Sequence, residues 1–414
     1  MSVREALVAL RPFRLGVLLA TVLTGFPQAA LAQERDEPRS VQERPRGAFD
    51  AKGLDLGGFR LFPRLSVSET YDDNVFADED GEQDDLITSV TAALLARSEW
   101  SRHELQVSGN LRHQAFLDNS DQDRTEYFIR PRLRLDLAER NTLGLRAEHS
   151  RRVVGRDDPE DSDEDDPTEF NRFLSELKYT HRFNRLSVGG AAFVRRDDFV
   201  STGDDDRDRT EYRFGLPIGY ELSAITDLKF EPFYRIRDFD EVDETGADRD
   251  AQAAGATLGF DTELTRLFHV GLEVGFIAND FEDSRFDDEV DFIAEGNATW
   301  YVTAMTTVKG RLARRDTATN QPGSSSKTQT TVAGEVQHEL QRNILLLGVA
   351  RYIQDDFREI DRTDDRAIFG LGGEYLLNRY LSLAADYRFE QRWSDVDEQD
   401  FTRNLVTLGL RTKF

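Results

Sequence analysis

Cysteine is missing from all 414 residues, and methionine occurs only twice. Without thiols there is no disulfide framework and no Cys-ligated metal or cluster around which a fold could be organised. Basic tracts of the kind that neutralise phosphates are also missing, and a net charge of -26 excludes nucleic acid as a natural partner. A membrane helix needs about 20 consecutive apolar residues. The one candidate, Leu15 to Phe26, is too short, so no transmembrane helix is expected. A mean hydropathy of -0.58 would suit an acidic soluble protein. It suits a membrane barrel equally well, because every second side chain of a barrel strand faces a polar interior.

At the N-terminus, Arg4, Arg11 and Arg14 precede the apolar stretch, and Ala30-Leu31-Ala32 follows it. A basic leader, a short apolar region and small residues before a cut are the three parts of a secretory signal peptide. Residues 1–32 are therefore expected to be removed after Ala32. Residues 33–57 are rich in Glu, Arg, Pro and Gly without periodicity, and read as a flexible periplasmic lead-in.

Residues 58–414 repeat one unit: about a dozen residues of alternating character, a tight turn, another such segment, then a longer acidic loop. In Glu211 to Leu222, the side chains of Tyr212, Phe214, Leu216, Ile218, Tyr220 and Leu222 share one face. Glu211, Arg213, Gly215, Pro217, Gly219 and Glu221 share the other. After the turn near Ala224 the phase continues, with Leu228, Phe230, Tyr234 and Ile236 against Lys229, Glu231, Arg235 and Arg237. Segments of about 11 to 14 residues are twice the length usual in soluble sandwiches and suffice to cross a bilayer at a tilt. The pattern predicts an all-β transmembrane antiparallel up-and-down β-barrel of about eighteen strands, with both termini in the periplasm of a Gram-negative bacterium.

The long connections carry the acid, most densely at Asp157 to Asp166. They read as solvated extracellular loops that contact lipopolysaccharide. Asp78-Glu79-Asp80-Gly81 is only a fragment of a calcium-loop pattern, so no metal ligands are assigned. Aromatic residues such as Tyr71, Trp100, Trp300, Tyr380 and Trp393 fall near segment ends, where rings sit at headgroup level.

By phase, the inner wall carries Arg130, Arg132, Arg134, Arg146, Arg235, Arg237, Arg311, Arg388, Arg403 and Arg411. Glu148, Glu231, Asp386 and Glu390 share that wall. Such rows either select permeating solutes or pair with one another and contribute little. No cofactor is called for. A catalytic role is not expected either: the most suggestive pair, His149-Ser150, is split between opposite faces of its strand.

The final strand places Val406, Leu408, Leu410, Thr412 and Phe414 on one face. This resembles the insertion signal read by the barrel-assembly machinery, an amphipathic last strand with a terminal aromatic. The first strand runs into Tyr71-Asp72-Asp73-Asn74-Val75-Phe76, which resembles the opening signature of the putative β-barrel porin 2 family. Family members found with exopolysaccharide or capsule synthesis imply a conduit for the polymer, working with a periplasmic export machinery. From the residues alone two functions stay open. One is a porin or conduit for exopolysaccharide or small solutes; the other is a plugged structural barrel whose acidic loops meet cations or lipopolysaccharide at the surface.

Overall fold

The computed structural model describes residues 38–161, 166–200 and 203–414. The expected signal peptide lies outside the described residues. The first strands are β1 (Leu54–Leu56), β2 (Phe59–Asp72), β3 (Asp85–Ser98), β4 (Glu104–Phe116) and β5 (Arg124–Ala138). Next come β6 (Asn141–Val153), β7 (Glu169–Arg182), β8 (Leu186–Phe199), β9 (Arg209–Gly215) and β10 (Ile218–Ser223). They are followed by β11 (Thr226–Phe239), β12 (Ala251–Thr265), β13 (Phe268–Phe281), β14 (Glu289–Thr303) and β15 (Thr306–Thr317). The last are β16 (Lys327–Gln341), β17 (Ile344–Phe357), β18 (Thr363–Leu376), β19 (Leu381–Ser394) and β20 (Phe401–Lys413).

β9 and β10 form a single stave. Gly215 stands opposite Ala191 and Phe233, and Ile218 opposite Val188 and Phe230, so the register runs on across the gap. The break falls at Leu216-Pro217 because a proline has no N–H to give the ladder. Leaving the short β1 aside, eighteen staves close into a ring, each antiparallel to its neighbours. β20 returns to β2, with Arg64 opposite Lys413 at one end and Asp72 opposite Leu405 at the other. A closed ring leaves no free strand edge, which is the condition for putting a sheet into lipid.

The segment Asp73-Asn74-Val75 that follows the first stave locks this seam. Asp73 accepts hydrogen bonds from the backbone N–H and side-chain amide of Asn404 at 2.6 and 2.7 Å. Asn74 donates its amide to the carbonyls of Asp78 and Thr402, and Val75 packs with Ile87 and Phe116. Residues about 330 positions apart are thereby stapled where the ring closes.

Burial is inverted relative to a soluble protein. Leu258, Phe276, Phe292, Leu371 and Leu408 are exposed, whereas Glu148, Arg237, Asp316 and Asp355 are buried. Leu408 and Leu410 face outward, and Phe414 is half exposed with its N–H on the Pro63 carbonyl. At one place the wall tolerates no side chain: a Cβ on Gly275 would lie 2.0 Å from the Ala256 carbonyl oxygen. Eight turns of two to five residues cluster at one end, and nine connections of five to fifteen residues at the other.

Residues 38–57 are not the loose lead-in expected from composition. They form a strap across the short-turn mouth, with a 3-10 turn at Val41–Glu43 and β1 hydrogen-bonded to β2. Val41 is buried with Leu345 and Leu376, and its N–H bonds Thr307 Oγ1 at 3.2 Å. Arg46 Nη2 meets Glu339 at 2.7 Å. Apolar and charged partners supplied by the barrel wall replace the core that the segment lacks by itself.

Candidate functional site

Because side chains alternate along a strand, positions i, i+2 and i+4 reach the interior together. On β6 this puts Glu148, Ser150 and Arg152 on one inner row. Glu148 is fully buried and takes Arg130 Nε at 2.7 Å, Arg152 Nη2 at 2.5 Å and Arg146 Nη2 at 3.7 Å. Arg132 stands directly opposite Arg146 in the ladder. His149 points the other way, with Nε2 at 3.3 Å from the Tyr127 hydroxyl on the outer face. His149 and Ser150 are therefore on opposite sides of the wall.

Three more acid hubs repeat the design. Asp197 holds Arg172, Arg195 and Arg209. Asp316 binds Arg235 at 2.5 Å and Arg237 at 3.2 Å. Asp72 takes Arg403 Nε at 2.8 Å, and Glu390 stands between Arg403 and Arg388. Elsewhere on the wall Arg213 meets Glu231 at 3.1 Å, Arg311 meets Glu295 at 3.2 Å, and Arg134 meets Asp136 at 3.1 Å. Arg411 lies between Asp386 and Glu374.

The sequence-predicted wall residues thus divide into two groups. Arg130, Arg134, Glu231, Arg235, Arg311, Asp386, Arg388, Arg403 and Arg411 border a single internal cavity of about 2770 Å³. Arg146, Glu148, Arg237 and Glu390 lie behind them in buried clusters, and neither they nor the partly exposed Arg132 border it. Their buried pairing keeps the wall charges in fixed positions, since ion pairs out of water are strongly coupled to their geometry.

The connection between β6 and β7 departs from expectation. Instead of standing in solvent, its residues 156–161 fold inward and cross the ring to the opposite wall. Arg366 Nη1 donates to the Asp157 carbonyl at 2.7 Å and lies 3.3 Å from its carboxylate. Lys327 Nζ is 2.8 Å from Glu160, which also accepts from Asn320 N and Thr319 Oγ1. Gln321 donates to the Pro159 carbonyl, and Arg156 pairs with Asp161 at 2.9 Å. The cations of the far wall overcome the desolvation that would otherwise keep these acids in water. Burial raises the Asp157 carboxyl, but Arg366, Arg388 and Arg403 together lower it by more, so it lies below the ordinary range. Burial pushes neighbouring Asp158 up.

Charge is also segregated in bulk. The cavity border holds 29 of the chain's 53 Lys and Arg residues but only 19 of its 79 Asp and Glu. A strongly acidic chain therefore encloses a net basic interior. Reading the sequence by phase found the wall but missed the loop residues Asp157 and Glu160, their anchors Lys327 and Arg366, and the strap residues Arg44 and Arg46. Only the length of the β6–β7 connection hinted that it had the reach to cross.

A closed antiparallel ring with apolar side chains outside and charge inside is a membrane β-barrel of the outer-membrane type. The chain belongs to the Putative beta-barrel porin 2 family, whose model matches residues 46–414. It is also similar to the solved structure of OccAB3 from Acinetobacter baumannii, with 11% identity and a TM-score of 0.47 over 87% of this chain and 100% of that one. A BenF-like porin from Pseudomonas fluorescens Pf-5 shows 11% identity and a TM-score of 0.46, covering 86% of this chain and 99% of that one. OpdO from Pseudomonas aeruginosa shows 13% identity and a TM-score of 0.46, covering 87% and 98%. Among curated proteins there is no match.

Proposed function

We propose that the chain is a passive outer-membrane conduit through which hydrophilic solutes diffuse along a charged wall. In this reading residues 1–32 direct export and are removed, and the barrel-assembly machinery recognises the last strand through Leu408, Leu410 and Phe414. The short turns and both termini face the periplasm, the long loops face outward, and lipid with lipopolysaccharide surrounds the wall. The observation that carries the proposal is the net basic interior described above, since an enclosed row of fixed charge serves to pass solutes and eighteen strands enclose room for water. Resemblance to family members found with exopolysaccharide synthesis extends the cargo to that polymer, with a periplasmic export machinery as partner. Passage of a polymer requires the inward loop and the strap to move aside.

Single-channel recording in planar bilayers, with and without an anionic polysaccharide, tests this. Stepwise conductance that the polymer blocks supports an export conduit. Conductance indifferent to polymer leaves a small-solute porin, and electrical silence of folded protein returns the plugged structural barrel.

A further inference from the structure

The strap at the short-turn mouth is held in shape by bonds of its own. Ser40 N–H and Oγ both donate to the Glu43 carboxylate, at 3.2 and 2.7 Å, and Arg46 N–H donates to Asp50 at 2.6 Å. Arg46 Nη2 donates to the Val41 carbonyl at 2.6 Å, and the N–H groups of Phe49 and Asp50 both meet the Arg46 carbonyl. All of these lie within residues 40–50. The contacts that fix the strap to the wall are separate and mostly polar: Val41 N–H on Thr307, Gln42 N–H on Gln337 at 3.1 Å, Arg44 on the Ala304 carbonyl and Arg46 on Glu339. Their apolar part is Val41 and Phe49 against Leu345 and Leu376. At its other end the strap runs into β1, whose three residues are paired with Phe59 to Leu61 of β2. Gly53, just before β1, has a φ of +78°, in the left-handed region that glycine enters without strain.

Resting on the conduit reading, we propose that the strap is the size filter of the short-turn mouth. Docked, it narrows the opening to small solutes; swung outward about Gly53 with β1 still in the ladder, it admits an oligosaccharide chain. Gln42, Arg44, Asp50 and Ala51 border the cavity, so the docked strap forms part of its floor. Thr307, Gln337 and Glu339 are buried beneath it. Water serves these polar side chains as the strap does, so undocking exchanges hydrogen bonds instead of leaving them unmade. The bonds within residues 40–50 travel with the strap, and the change in backbone angles is confined to residues 51–53, as in a hinge at the end of an element.

The chain has no cysteine, so Val41→Cys combined with Leu345→Cys supplies a single reversible lock inside the docked cluster. Proteoliposome swelling compares the entry of glucose and of maltoheptaose through the full barrel, each variant being checked for folding by heat-modifiable gel mobility. Oxidation of the pair should lower the maltoheptaose-to-glucose rate ratio at least 5-fold, and reduction should restore it. Glu339→Gln, which loosens the dock, should raise the ratio at least 2-fold over the parent. A ratio unmoved by oxidation or by Glu339→Gln, or equal loss of both sugars on oxidation, overturns the filter. So does failure of the two thiols to join in the folded barrel with either an oxidant or a short bismaleimide. Glucose entry with maltoheptaose excluded from every form sinks the filter and leaves a small-solute conduit standing. If no form admits glucose, Glu339→Gln included, the conduit reading fails and takes the filter with it.

Discussion

Glu273 and Phe276 lie three residues apart on β13 and answer to different solvents. Phe276 is exposed on the outside, edge-on to Phe292 at 5.6 Å between ring centres, while Glu273 faces inward to Lys229 at 3.1 Å. On the outer face each side chain is judged alone, by its transfer into lipid. On the inner face charges such as Glu273, Glu148 and Asp197 are held by partners on their own or nearby staves. The same contrast separates the two ends of the barrel: the short-turn end is crossed by a strap docked with Val41 and Arg46, and the long-loop end by acids docked on Lys327 and Arg366.

Breaking an inner hub is the most severe disturbance. Glu148→Ala leaves Arg130, Arg146 and Arg152 facing one another and should cost about 3–5 kcal/mol, as removal of one partner of a buried ion cluster does. Urea unfolding in lipid vesicles measures it, and a loss under about 1 kcal/mol would mean that water already screens the hub. The outer face should respond next. Phe276→Arg places a charge in the apolar band and should cost about 2–4 kcal/mol. Thr257→Arg, inward on β12 and opposite Glu231 in the ladder, should cost less than about 1 kcal/mol by comparison. Equal costs at the two positions would erase the distinction between faces.

A smaller effect is expected at the strap. Arg46→Ala removes the 2.7 Å contact with Glu339 but leaves Arg44 at 3.5 Å from the same carboxylate. The loss should be about 2 kcal/mol, confined to the strap, and visible as faster amide exchange at Val41 and Gln42 with the barrel ladder unchanged. Exchange quickened equally everywhere, or nowhere altered, would show that the strap is not an independently opening unit.

The smallest effect is one of pH at the loop end. Asp208 and Asp250 are both pushed up to about 6, chiefly by burial and further by neighbouring acids, against the pull of the N–H bonds from Phe199 and Phe239. A carboxyl whose folded value lies above its unfolded 3.8 binds extra protons in the folded state. Its packing is therefore most stable below about pH 4 and weakens as pH rises through about 6. Amide exchange at Phe199 and Phe239, normalised for intrinsic rate, should be a few-fold faster at pH 7 than at pH 5. Asp208→Asn should abolish the difference at Phe199 alone. A ratio insensitive to pH would mean that these loops are already open to water.

Much of the barrel is legible in the sequence. The phase of Tyr212, Phe214 and Tyr220 against Glu211 and Arg213 placed lipid and lumen correctly, and the first stave of the ring, β2, begins at Phe59, close to where the alternation starts. The candidate wall was legible in the same way, as far as the side each residue faces. Which arginines border open space and which are sealed behind Glu148 was not, because that depends on the register between neighbouring strands. The β6–β7 loop was read as solvated and the strap as flexible, since composition reports only how much charge a segment carries and not whether a partner awaits it.

What the sequence determined by itself is the two-residue period, which is local: adjacent side chains of an extended strand point to opposite sides wherever the strand lies. What only the tertiary structure decided is the pairing across the lumen, such as Asp157 with Arg366 or Arg46 with Glu339, residues some 200 to 290 positions apart. Their meeting depends on the diameter of the closed ring and the stagger of its staves, quantities that no short stretch of chain contains.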